Sequence, residues 1–144
     1  LKRTLAGGVE LDDDRARVDV SAVHKFLSEE SYWAKGRKLA EVTRLVSEAA
    51  RVIGLYDGGR QIGFARTVTD GRSIAYLADV YVLDEWRGRG YGAELVRASV
   101  NDGPYERVRW VLHTEAHDFY RAFGFDQPSE RLMERQVPAR GPGS

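Results

Sequence analysis

The run Trp86-Arg87-Gly88-Arg89-Gly90-Tyr91-Gly92 puts three glycines and two arginines into seven positions. Glycine removes the side chains that would block close approach to the backbone, and arginine adds charge-assisted donors. The run follows the apolar segment 79–83 and precedes a segment, 93–100, with helical spacing. A helix start leaves amides without internal partners and carries partial positive charge. Several amides there can face one phosphate. Two other readings compete: a tight strand-to-helix turn that binds nothing, and an arginine-glycine patch for nucleic acid. The spacing G-x-G-x-G differs from the dinucleotide pattern G-x-G-x-x-G. No Lys-Ser or Lys-Thr follows, so the triphosphate loop does not match either.

Other residues carry chemical potential. Tyr120 lies in an aromatic stripe with Ala116, Phe119 and Phe123, at helical spacing. Asp79 is an acid inside an apolar strand-like segment. Tyr32, Trp33 and Arg37 gather aromatic and basic groups in one loop. Such a set can recognise a carboxylate or a flat molecule, or serve as a packed anchor. His113 and His117 stand four apart in H-T-E-A-H. That is not the H-E-x-x-H zinc pattern, and the pair straddles an expected strand-to-helix boundary, so no metal is expected.

These residues need elements to hold them. The chain has 144 residues, enough for one domain with a core; the expectation is a domain over 1–137 and a loose tail over 138–144. Twenty-two basic and twenty-two acidic residues cancel. A neutral chain argues against bulk affinity for nucleic acid or anionic membrane, so an anion site must be local. No cysteine is present, which removes disulfides, thiolate metal sites and a cysteine nucleophile. No apolar run approaches the roughly 18 residues of a membrane span, and no secretory signal is visible. Cytoplasmic residence is the expectation.

A short strand is expected within 9–14 and a helix from Asp19 onward, capped by that aspartate. A second helix over 38–50 places Leu39, Val42, Val46 and Ala49 on one face. The period then becomes two: 51–56 and 60–68 read as a hairpin around 57–59, and 73–83 as a buried third strand. A helix with Leu95, Val96, Ser99 and Val100 on one face follows the glycine run. A strand over 107–113, a helix over 115–123 stopped by Gly124 and a last strand over 131–136 complete the order. This is an α+β (mixed α/β) fold with a largely antiparallel sheet, in which the helix over 90–100 makes a parallel crossover.

Together these residues resemble the GNAT superfamily of acetyl-coenzyme A-dependent N-acetyltransferases. Its signature is an apolar strand, then [RQ]-x-x-G-x-[GA], then a helix; here Arg87, Gly90 and Gly92 occupy the diagnostic positions of 79–95. About 30 residues later the family has a helix with an alanine, a tyrosine four residues on, and G-F, matched by Ala116, Tyr120, Gly124 and Phe125. The resemblance covers nearly the whole chain. It implies a twisted, mostly antiparallel sheet of about six strands flanked by about four helices.

The resemblance also implies roles. Main-chain amides of Arg87, Gly88, Arg89, Gly90, Tyr91, Gly92 and Ala93 would hold the coenzyme A pyrophosphate. The pantetheine arm would pair along Val80, Tyr81 and Val82 like an added strand, with the Val82 amide polarising the thioester carbonyl. His113 stands where the family often has an asparagine touching the coenzyme. The loop with Tyr32, Trp33 and Arg37 would roof the acceptor.

Transfer would be direct, from acetyl-coenzyme A to a small-molecule amine. At pH 7, freeing a lysine-like amine of its proton costs ~4–5 kcal/mol. Tyr120 matches the family's thiol-side acid. A phenol is a weaker acid than a thiol by ~2 kcal/mol, so Tyr120 reads first as a hydrogen-bond stabiliser of the leaving thiolate. Some members carry a base glutamate where this chain has Ala78. Asp79, beside it, could take that task, hold the substrate ammonium, act through water or only brace a loop, and ordered water relaying the proton to solvent is the equal alternative. The alternative is a coenzyme A-binding regulatory or structural module without turnover. Family members often form homodimers, so a homodimer is compatible with the reading.

Overall fold

The computed structural model describes residues 1–128 and 130–136. The chain forms two compact units, Leu1–His113 and Thr114–Ser144. The expected tail over 138–144 lies outside the described residues. No helix among the described residues is long and apolar enough to cross a membrane.

The first unit is a six-stranded sheet in chain order: β1 (Lys2–Thr4), β2 (Glu10–Asp12), β3 (Arg51–Asp57), β4 (Arg60–Thr69), β5 (Ile74–Val82) and β6 (Arg109–Val111). Every pairing is antiparallel except β5 with β6. Helices α1 (Val20–Glu29) and α2 (Leu39–Glu48) lie between β2 and β3, and α3 (Tyr91–Val100) between β5 and β6. The parallel pair is the crossover expected around α3.

The helices form where their apolar spacing says they should. Asp19 caps α1, its Oδ1 accepting from the Ala22 amide at 3.1 Å. Val23, Phe26 and Leu27 of α1 and Val42 and Val46 of α2 are buried against Val52, Phe64 and Tyr81 of the sheet. Each large side chain buried there contributes about 1.5–3 kcal/mol. All residues of β3 from Arg51 to Tyr56 are buried, so the sheet is covered on both faces. Leu39, expected on the apolar face of α2, opens the helix and stays 47% exposed.

Three strands depart from expectation. β1 carries the polar triplet Lys-Arg-Thr and exists through its ladder with β2. Nothing in its own sequence alternates. The strand expected over 131–136 is absent. Leu132 and Met133 are adjacent there, so a strand would turn them to opposite sides and have no apolar face; both are exposed. β6 is also shorter than 107–113.

In the second unit, α4 (His117–Arg121) is shorter than the helix expected over 115–123. Gly124, with φ +87°, follows it in the left-handed conformation expected of a stop. Tyr120 meets Phe119 and Phe125 edge-on, at ring-centroid distances of 4.9 and 5.8 Å.

Candidate active site

Two features of the first unit come together at β5. The first is the loop into α3. A 3-10 turn over Asp84–Trp86 ends β5, and the Arg87 amide closes it onto the Asp84 carbonyl at 3.2 Å. Gly88 and Gly90 then take φ values of +77° and +86°, which L side chains adopt only with strain. Gly90 is the cap of α3 and no side chain bonds that helix start. The amides from 88 to 93 have no hydrogen-bond acceptor among the described residues. A Cβ at Gly88 or Gly90 would meet nothing within 4 Å, so the space in front of the loop is open.

The surroundings brace this loop. The Arg87 Nε donates to the Val82 carbonyl at 3.0 Å and its guanidinium pairs with Asp84. Arg89 donates to the Glu85 carbonyl at 3.3 Å, with its guanidinium 5.0 Å from the Trp86 ring centroid. Tyr91 is buried, and its hydroxyl donates to the Ala6 carbonyl at 2.9 Å. That bond ties the start of α3 to the turn between β1 and β2, a link that no local pattern in the sequence announces.

The second feature is an open strand edge. β6 pairs with β5 only from Ile74 to Tyr76, and β5 runs on to Val82 without a neighbour on that side among the described residues. On the other side, the Leu83 amide bonds the Ile62 carbonyl at 2.9 Å. Antiparallel ladders alternate, so the peptide groups of Val82 point away from β4, toward the open edge. Those of Tyr81 point back into the ladder with Phe64. Its ring also stacks on Phe26 at 4.0 Å. Tyr81 is therefore a core and ladder residue and not one of the edge groups expected to pair with an extended arm. Arg87 is corrected likewise, since its amide is spent inside the loop.

Asp79 takes one of the places the sequence leaves open to it, that of a brace. The β4–β5 register shifts between Phe64 and Arg66, so Asp79 and Val80 share one opposing residue in a bulge. Asp79 sits there at φ +54°, outside the glycines the only positive φ among the described residues. Its side chain is 3% exposed. One oxygen accepts from the Trp33 indole at 3.0 Å, the other from Arg66 Nε at 2.9 Å, and Arg37 Nη1 reaches both at 3.3 Å. Three donors make four hydrogen bonds to Asp79, so both of its oxygens are engaged by the protein's own groups. It is a clamp joining the 31–37 loop to the bulge, the bracing role among those the sequence leaves open to it. The clamp also draws in Trp33 and Arg37 while Tyr32 remains 68% exposed, edge-on to Trp33 at 5.2 Å.

His113, just past β6, shares a hydrogen bond of 2.7 Å between its Nδ1 and the Tyr76 hydroxyl, at the point where β5 and β6 part. Tyr120 and His117 belong to the second unit, on α4. A groove of about 710 Å³ runs between α1 and the β3–β4 turn, walled by Phe26, Gln61, Tyr81 and Leu83. Neither the free amides nor Asp79 line it, so it is separate from both features.

A row of unbonded amides at a helix start, beside an unpaired strand edge, fits a pyrophosphate with an extended amide-bearing arm. The model of the acetyltransferase (GNAT) domain matches residues 48–127, from the end of α2 past α4. The chain belongs to the GNAT acetyltransferase family. An inferred GNAT-family acetyltransferase from Xanthomonas campestris pv. campestris has a crystal structure that superposes with a TM-score of 0.84 at 38% identity, over 90% of this chain and 94% of that one. An inferred fungal acetyltransferase, FG08082 of Gibberella zeae, is 25% identical over 76% of this chain and 73% of its own length. A Clostridium acetobutylicum acetyltransferase structure with acetyl-CoA has the same fold, with a TM-score of 0.68 at 16% identity, over 89% of this chain and 96% of that one. In this GNAT chain the bulge, the splayed edge and the glycine loop all lie on one strand-loop-helix unit, 74–100.

Proposed function

We propose that this GNAT chain is an N-acetyltransferase that moves an acetyl group from acetyl-coenzyme A to the amine of a small-molecule acceptor. The observation that carries the reading is the run of unbonded amides at 88–93, next to the open edge of β5 at Val82. The acetyl-CoA in the Clostridium acetobutylicum neighbour supports the same donor. When bound, the donor would supply the thioester carbon to be attacked and the thiolate that leaves.

The chain's own groups have distinct tasks. Amides at 88–93 bind phosphate oxygens, and the α3 start adds partial positive charge. Val82 pairs the extended arm through its outward peptide N–H. The family resemblance assigns Tyr120 the hydrogen bond to the departing sulfur, which would stabilise charge that develops only in the transition state. Ordered water carries the amine proton away, because Ala78 has no titratable group and Asp79 is fully engaged.

That engagement also favours a second reading, a coenzyme A-binding module without turnover. A thiol-release assay with acetyl-coenzyme A and a panel of amines separates the two. Release that depends on one class of amine, and falls about 10²-fold or more in Tyr120→Phe, supports transfer. Tight coenzyme binding with no release on any amine supports the module.

A further inference from the structure

The charge at the bulge does not balance. Asp79 is bonded by two guanidinium groups, and neither Arg37 nor Arg66 bonds any other carboxylate among the described residues. The side chains of Asp79, Arg66 and Arg37 are 3%, 12% and 20% exposed, so one surplus positive charge is held in a largely buried place. Uncompensated charge there is costly, and a chain with equal numbers of acids and bases has no general excess to explain it.

The donors do not balance either. Arg37 uses Nη1 alone and Arg66 uses Nε alone. The Nε and Nη2 of Arg37 and both Nη of Arg66 have no acceptor among the described residues, and none of the four is sealed from solvent. Guanidinium N–H groups in pairs match the geometry of a carboxylate. Asp79 holds the two arginines in place, so donors are presented without the entropy loss of ordering free side chains.

We propose that Arg37 and Arg66 hold a carboxylate of the acceptor, so that the acceptor is an amine that also carries a carboxylate, of the amino-acid class. The proposal rests on the acetyltransferase reading only for the word acceptor. Tyr32 and Trp33 at the rim, 68% and 41% exposed, supply an apolar wall for the body of such a molecule. Trp33 is fixed there by its bond to Asp79. The surplus charge has a second consequence. A cation near an ammonium disfavours the charged form, so the same arginines ease deprotonation of the bound amine where Ala78 offers no base. Diamines and other purely cationic amines would be repelled.

The test uses products, so it does not depend on turnover. Calorimetry on the full chain, saturated with coenzyme A, compares a panel of N-acetyl amino acids with their carboxamides. The carboxylate member of at least one pair is expected to bind about tenfold or more tightly. Arg37→Gln and Arg66→Gln should shrink that gap, and Arg37→Lys should recover part of it. Equal binding of the paired molecules, or binding of neither across the panel, overturns the proposal; this comparison needs only the wild-type chain, whatever the variants do to folding. Binding of the carboxylates with no thiol release from any amino acid would sink the transfer reading and leave the carboxylate site standing.

Discussion

Trp33 and Asp79 lie 46 positions apart in the chain, and the indole of one donates to the carboxylate of the other at 3.0 Å. With Arg37 and Arg66 on the same carboxylate, this contact makes the bulge of β5 and the loop between α1 and α2 a single braced object. Asp79→Asn leaves two guanidiniums facing a neutral group. The expected loss of stability is about 3 kcal/mol, toward the low end for a broken buried pair because both arginines keep some contact with water. Thermal melts measure it. As a clamp, Asp79 should affect acceptor KM more than kcat, and the variant should keep the wild-type shape of kcat/KM against pH. Disappearance of the acid limb of that profile would return Asp79 to the role of base.

Gly88→Ala and Gly90→Ala are strained by φ alone, since no atom lies within 4 Å of either Cβ. Each should cost about 1–2 kcal/mol of stability. The larger effect should be on coenzyme A, whose phosphates would meet the new methyl group. Calorimetric titration should show affinity down by about tenfold or more, with acceptor binding unchanged.

Tyr91→Phe removes the hydroxyl that bonds the Ala6 carbonyl at 2.9 Å. The loss should be about 1 kcal/mol, and hydrogen exchange should show the start of α3 opening more readily. Coenzyme affinity should fall only modestly, because the amides at 88–93 keep their positions in the closed form.

Tyr56 is buried, and burial pushes its phenol up to about 12, against an ordinary value of 10.0. The Arg17 guanidinium, 4.0 Å from its ring centroid, opposes the shift. The folded state therefore favours the neutral phenol. Its contribution to stability is complete below pH 10 and is lost as pH rises from 10 toward 12. Absorbance titration of phenolate should show two tyrosines ionising late, Tyr56 and Tyr81, both raised by burial, together with alkaline unfolding. In Tyr56→Phe that alkaline limb should move to higher pH.

The glycine loop was readable because its information is local. Gly88 and Gly90 are needed where the chain turns from strand to helix, and the residues around them state both elements. The hairpin of β3 and β4 was readable for the same reason. What was missed lies in pairings across the chain. β1 has no pattern of its own and is made by β2. The assignment of Tyr81 to the open edge failed because a one-residue step decides which edge its peptide groups face. One signal for the Asp79 clamp was present: an acid inside an apolar strand must find buried partners. The sequence could not say that two of the three partners sit 42 and 46 residues earlier.

By itself, the sequence determined the order of the main elements, the phosphate-ready loop and the family, since each depends on residues close in the chain or on spaced motifs. Only the tertiary structure decided that Asp79 braces the 31–37 loop, and that β5 offers Val82 but not Tyr81 at its open edge. It alone brought a surplus arginine to the bulge. These facts turn on register and on charges that meet across the fold, where direction and neighbours are set by packing rather than by local sequence.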